Sequence, residues 1–297
     1  MAFPKTVLLA TAGLLFSGCG GRGGDEPLQA QYERAVRTAD PELSIGQLLE
    51  VASRQHQAGD ARGVSRSLTA AVDAVPRIAD VAGRAAALNR IAQAQARMQG
   101  GSAAGTTLRQ LERLLDQLDD LATRVTLTSR AAQTIARDVN DVSQAAAWLQ
   151  RAETLAGQIE QPEGRIDARL EIATAWFHIG QRGSAADLLD SLRVSARELA
   201  NVRRRADALA NLAATLSATQ RGEDAEAVFQ ESRQAANEIA DPLSQAHARL
   251  HLGTRLSAGG RRDLARAVLQ EAEQAAEQVA DPGLRRPLID RIREVSR

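Results

Sequence analysis

The sequence predicts an all-α chain, a solenoid of about six helix-turn-helix repeats of 40 residues, on three observations. The tripeptide Ala-Asp-Pro occurs at Ala39-Asp40-Pro41, Ala240-Asp241-Pro242 and Ala280-Asp281-Pro282, and the last two prolines are 282 − 242 = 40 residues apart. A polar ladder of Asp40, Asp80, Asp120, Gln161, Asn201, Asp241 and Asp281 runs through the chain in steps of 40, 40, 41, 40, 40 and 40. No segment sustains the two-residue alternation of a half-buried strand, so no sheet is expected. A fixed period of this size marks stacked repeats, because no single unit can bury its apolar stripe alone.

The elements follow in chain order. Residues 1–18 read as a secretory signal. Lys5 gives a positive start, and the apolar run Thr6 to Phe16 is too short to cross a ~30 Å hydrocarbon layer as a helix. Phe16-Ser17-Gly18-Cys19 resembles the lipobox of bacterial lipoproteins, although an aliphatic residue usually stands where Phe16 does. The resemblance implies a lipid on Cys19, which becomes the first mature residue. Gly20 after it implies sorting to the outer membrane, facing the periplasm. Cys19 is the only cysteine, so no internal disulfide can form. The alternative is a plain signal peptide with an incidental cysteine. Residues 19–26 then carry the lipid and a Gly-rich flexible tether, with a reach of at most about 25 Å.

Residues 27–40 are expected to form an N-terminal capping helix, and residues 41–281 six helical hairpins. At each unit boundary the Asp can accept a hydrogen bond from a free N–H of the next helix, and Pro fits the first helical position. Breaks between the two helices of a unit are expected at Gly59, Gly100-Gly101, Asn140-Asp141, Gly183, Gly222 and the turn 257–263. Each second helix carries one large apolar ladder residue: Leu68, Leu108, Leu149, Leu189, Phe229 or Leu269. Residues 282–297, with Leu284, Leu288, Ile289, Ile292 and Val295, read as a C-terminal capping helix whose start Pro287 is expected to delay or kink. Aromatic residues are only 2% of the chain, so the core must be Ala, Leu, Val and Ile, with Trp148 and Trp176 inside it.

The segment "LHLGTRLSAGGRRDLARAVLQEA" (250–272) resembles the tetratricopeptide repeat. Leu252-Gly253 stand at its Leu-Gly pair, Leu256 at its first-helix aromatic, Gly260 at its turn glycine, Ala265 and Ala272 at its small positions and Leu269 at its Phe. Ile172-Ala173, Trp176, Gly180, Ala185 and Leu189 repeat the pattern, as do Leu212-Ala213, Leu216, Ala225 and Phe229. The period of 40 exceeds the usual 34 and also fits HEAT repeats. Either kinship implies a right-handed solenoid with a groove. In tetratricopeptide proteins the shared position of Asp167, Asp207 and His247 faces that groove, which makes them candidate partner-binding residues, with Thr174 and His178 beside them. The competing reading is a row of solvated acids favoured by the helix dipole.

Other chemistry is weakly supported. With 37 basic and 37 acidic residues there is no basic excess, so no nucleic acid is expected as partner. His247 and His251 share a helix face, but Ala248 stands where a zinc-protease helix needs Glu, so no metal and no cofactor are expected. Arg203-Arg204-Arg205 reads as a solvated face. Nucleophile elbows, Cys-x-x-Cys pairs, phosphate loops and dinucleotide fingerprints are absent. The expectation is a membrane-anchored, non-enzymatic scaffold that binds a protein or peptide, in a class whose members often serve envelope assembly. The alternatives are an envelope hydrolase or metal-dependent enzyme, and a passive spacer or self-assembling array.

Overall fold

The polar ladder sets where helices begin. Asp40 caps α2 (Pro41–Gln57), its carboxylate accepting from the backbone N–H groups of Glu42 at 2.8 Å and Leu43 at 3.1 Å. Asp80, Asp120, Asn201 and Asp241 do the same for α4 (Val81–Gln99), α6 (Leu121–Thr134), α10 (Val202–Ala218) and α12 (Pro242–Ala258). Gln161 starts α8 (Pro162–His178) in the same extended conformation, but its longer side chain makes no cap bond. The second helices are α3 (Ala61–Ala74), α5 (Gly101–Leu115), α7 (Val142–Gly157), α9 (Arg182–Arg197), α11 (Gly222–Asn237) and α13 (Arg262–Glu277). α1 (Leu28–Arg37) precedes the six hairpins and α14 (Pro282–Ser296) follows them. The computed structural model describes residues 27–296, with no strand among them. The signal segment, Cys19 and the tether lie outside the described residues.

Each hairpin turns through one residue in the left-handed region. Gly59, Gly100, Asn140, Gly180, Gln220 and Gly260 have φ of 74°, 95°, 63°, 86°, 65° and 76°. Two breaks therefore fall earlier than expected: Gly183 lies inside α9 and Gly222 is the first residue of α11. The turns themselves are made by Gly180 and, without glycine, by Gln220. Pro287 does not delay α14, which starts at Pro282 and contains it. The N–H it lacks would have bonded to the carbonyl of Gly283, in the first turn.

Packing joins the two helices of each hairpin through a small-on-large pair. Ala52, Ala92, Ala132, Ala173 and Ala213 are fully buried at one ladder position of the first helices. The buried Leu68, Leu108, Leu149, Leu189, Phe229 and Leu269 hold the matching position of the second helices. In the last hairpin the small residue is Gly253, where an added Cβ would lie 2.7 Å from Leu269 Cγ. The contacts merge into one continuous core from Ala35 to Val268, with smaller clusters at the two ends. Trp148 and Trp176 belong to it, and Trp176 Nε1 donates to Glu153 Oε1 at 2.6 Å.

The stack is an all-α solenoid with two layers. Successive first helices touch directly, α4 on α6, α6 on α8, α8 on α10 and α10 on α12, whereas successive second helices make few backbone contacts. The closer-spaced layer lies on the inside of a curved stack, so the first helices form the inner face. Arginines bridge the wider outer spacing: Arg151 to Glu112 at 3.0 Å, Arg193 to Glu231 at 2.5 Å, Arg233 to Glu271 and Arg261 to Glu226. Such exposed pairs contribute at most about 1 kcal/mol each.

Candidate functional site

The inner face carries a polar strip that crosses the helices. Residues four apart share a helix face, so Asp167 and Glu171 on α8, Asp207 and Asn211 on α10, and His247 and His251 on α12 form two parallel columns. Stacking links them. Asn211 Nδ2 donates to Asp167 Oδ1 at 3.0 Å, and Asn211 Oδ1 lies 2.9 Å from His251 Nε2. Because the amide nitrogen faces the carboxylate, its oxygen faces the imidazole, and neutral His251 donates from Nε2. One side chain thus ties α8, α10 and α12. Thr126 Oγ1 on α6 extends the strip by donating to Glu171 Oε2 at 2.5 Å.

The electrostatics of the strip are set first by desolvation. Asp207 is pushed up to about 6, chiefly by desolvation, with Asp167 adding to the rise and Arg203, 3.9 Å away, opposing it. Desolvation also raises Asp167, against the Asn211 hydrogen bond and Arg255. His251 falls to about 4 and His247 falls as well, through desolvation first and then nearby arginines, Arg255 and Arg203 for His251 and Arg203 for His247. Asp167 and His247 nevertheless remain open to solvent.

The remaining candidates divide. His178 is exposed at the end of α8, its pKa lowered by desolvation and by Arg137 of the preceding unit, which places both along the same face. Thr174 is half-buried, and its hydroxyl donates to Leu170 O within its own helix at 2.9 Å. The arginine run is split among three carboxylates: Arg203 with Asp207, Arg204 with Glu163 and Arg205 with Glu238 at 2.5 Å. Arg203, Arg204 and Asp207 also line a depression of about 710 Å³ that continues past Glu238 and Asp241 to Ser244. No group of three or more His, Cys, Asp or Glu among the described residues is arranged to hold a metal ion. None of the helices described is long and apolar enough to cross a membrane.

A second feature lies on α4, α6 and the turn that follows α6. α6 passes into a single π-helical turn, Ile135–Val139. The unit from Asp120 to Gln161 is the one 41 residues long. From ladder residue to positive-φ turn there are 140 − 120 = 20 steps here and 100 − 80 = 20 in the preceding unit, against 19 in the other four. The preceding unit covers that length with an unbroken α4, whereas here it ends in the π turn. Asp138 in this turn is nearly buried and held by Arg97 Nε at 2.7 Å and Gln93 Nε2 at 3.2 Å. Beside it a pocket of about 180 Å³ is lined by Asn89, Gln93, Arg130, Gln133, Arg137 and Asp138, together with Thr134.

No family model matches the chain, and no curated protein does. Among solved structures the chain is similar to Ton1535 from Thermococcus onnurineus NA1, with a TM-score of 0.48 and 12% identity over 89% of this chain and 94% of that one. It is also similar to a Rap protein complexed with Competence and Sporulation Factor, with a TM-score of 0.35 and 13% identity over 91% of this chain and 79% of that one. The reading of the inner face rests on its own residues.

Proposed function

We propose that the chain is a non-enzymatic scaffold that binds a protein or peptide along its inner face, at a cell envelope to which a lipid on Cys19 anchors it. The observation that carries the binding reading is the cross-helix polar strip. Asp167, Asn211 and His251 are preorganised by one another, and Asp207 keeps a desolvated carboxyl in the concavity with only a distant cation. Holding such groups in a groove costs solvation that a partner's donors would restore. The resemblance to tetratricopeptide lipoproteins supports the anchor, the outer-membrane location and a role in envelope assembly.

The test places a photo-crosslinking residue at Thr174 on the inner face or at Val194 on the outer layer, in intact cells. A protein captured from Thr174 and not from Val194 is expected. Equal capture from both positions, or none from either, would overturn the proposal. Lipid attachment is checked by tritiated palmitate, which should label the wild type and not Cys19→Ser. The raised Asp207 carboxyl favours a second reading, an envelope hydrolase with Asp207 as general acid or base. Turnover of peptidoglycan or casein that is lost in Asp207→Asn would establish that reading instead.

A further inference from the structure

The inner face changes sign along the solenoid. Arg90 on α4, Arg130 on α6 and Arg137 in the π turn are exposed, and none is paired with a carboxylate among the described residues. The carboxylate in the pocket lining, Asp138, is already neutralised by Arg97. On α8 and α10 the face presents Asp167, Glu171 and Asp207, against Arg203 of α10 and Arg255 of α12. The pocket between α4 and α6 is therefore the cationic end of the strip, and Arg130 and Arg137 are in its wall.

Two further observations make it a built pocket rather than a patch of surface arginines. The first arm of the 41-residue unit ends here in the π turn, in which the nearly buried Asp138 is held by Arg97 at 2.7 Å. Asn89 lines the same pocket, and its Oδ1 is buried without a donor among the described residues. An occupant with a carboxylate for the guanidinium groups would satisfy the charge the pocket leaves open.

We infer that the groove's occupant carries a short acidic run that docks against Arg90, Arg130 and Arg137, its carboxylate side chains entering the pocket beside the π turn. This rests on the peptide-groove reading above. Adjacent helices lie about 8–10 Å apart, which an extended chain spans in about three residues. The acidic run is thus about three residues long, and the carboxylates of α8 and α10 repel its continuation in that direction. The occupant consequently lies in one orientation, acidic end toward α4.

The experiment selects random dodecapeptides, displayed with both ends blocked, against the wild-type protein at low salt. Enriched peptides that compete with Thr174 crosslinking are expected to share an acidic run. Their affinity should fall at least about tenfold, near 1.4 kcal/mol, in Arg130→Glu/Arg137→Glu and in the milder Arg130→Gln/Arg137→Gln. It should hold in Arg286→Glu, an exposed change on α14, at the opposite end of the stack from the α4–α6 pocket. Thermal melts by circular dichroism verify that each variant is folded, and the Gln pair keeps the test open if the Glu pair is not. Groove-competing peptides without acidic preference, or unchanged affinity in both folded double variants, would overturn the inference and leave the groove reading standing. Binding that requires a free C-terminal carboxylate would also overturn it. Failure of every enriched peptide to compete at Thr174 would overturn the groove reading itself.

Discussion

Leu189→Ala tests whether the repeat period builds the core. Leu189 is 1% exposed in α9, in the ladder that runs from Leu68 to Leu269. The change removes three carbon groups, a transfer loss of about 2.4 kcal/mol at ~0.8 kcal/mol each. The fully buried Ala173 and Ala213 in the first-helix layer are too small to fill the space. If roughly 40 Å³ stays open, the cavity adds about 1 kcal/mol. The total, about 3.5 kcal/mol, corresponds to a melting temperature lower by about 10 °C for a chain of this size. The assay is urea unfolding followed by circular dichroism, with Val194→Ala as control. Val194 lies on the same helix but is 54% exposed, so its loss should stay within about 0.5 kcal/mol. A loss below about 0.5 kcal/mol for Leu189→Ala would refute the core ladder.

Four further outcomes are expected. Gln161→Asp should stabilise α8 by about 0.5–1 kcal/mol in the same unfolding assay, since it supplies the side-chain cap present at Asp120 and Asn201 and missing here. Gln220→Gly should gain about 1 kcal/mol, because Gln220 holds a left-handed φ of 65°. Asp207 has a folded pKa of about 6, above the unfolded value of about 3.9, so the native state loses stability as pH rises through that interval. Wild type and Asp207→Asn should therefore match near pH 4, and the variant should be the more stable near pH 8. His251 works in the opposite sense: its folded pKa of about 4 lies below the unfolded ~6.5, so its contribution is complete above ~6.5 and is lost as pH falls toward 4. An imidazole titration by NMR with a midpoint near 6.5 would contradict this.

Most of the fold was legible because repetition prints local signals many times. Asp, Asn and Pro at helix starts act within three residues, and the Ala-on-Leu pairs recur at fixed offsets. Signals with two local solutions were less legible. Gly183 and Gly222 mark a turn region, but the left-handed residue falls just before each of them, at Gly180 and Gln220. Pro287 reads as a helix breaker, yet it lies close enough to the start of α14 to be accommodated. For the site, the column of Asp167, Asp207 and His247 was legible from its period. Asn211, which couples two of the columns' helices to its own, was not. Its partners lie 44 residues before it and 40 after it, and they meet only once the helices stack. Glu171 and Asn211 could have been found by the same four-residue step that joins His247 to His251. The pocket at the π turn had one trace in the sequence, the single 41-residue step, whose position inside the unit the spacing alone left open.

The central claim is that the inner face binds a partner through its polar strip. The most direct measurement is the affinity of the protein captured from Thr174 for wild type and for Asp167→Arg/Asp207→Arg, each verified as folded by its melting curve. The account predicts a loss of at least about tenfold, near 1.4 kcal/mol, on reversing both charges. Equal affinity in the folded variant would contradict it and would place the binding surface elsewhere on the solenoid.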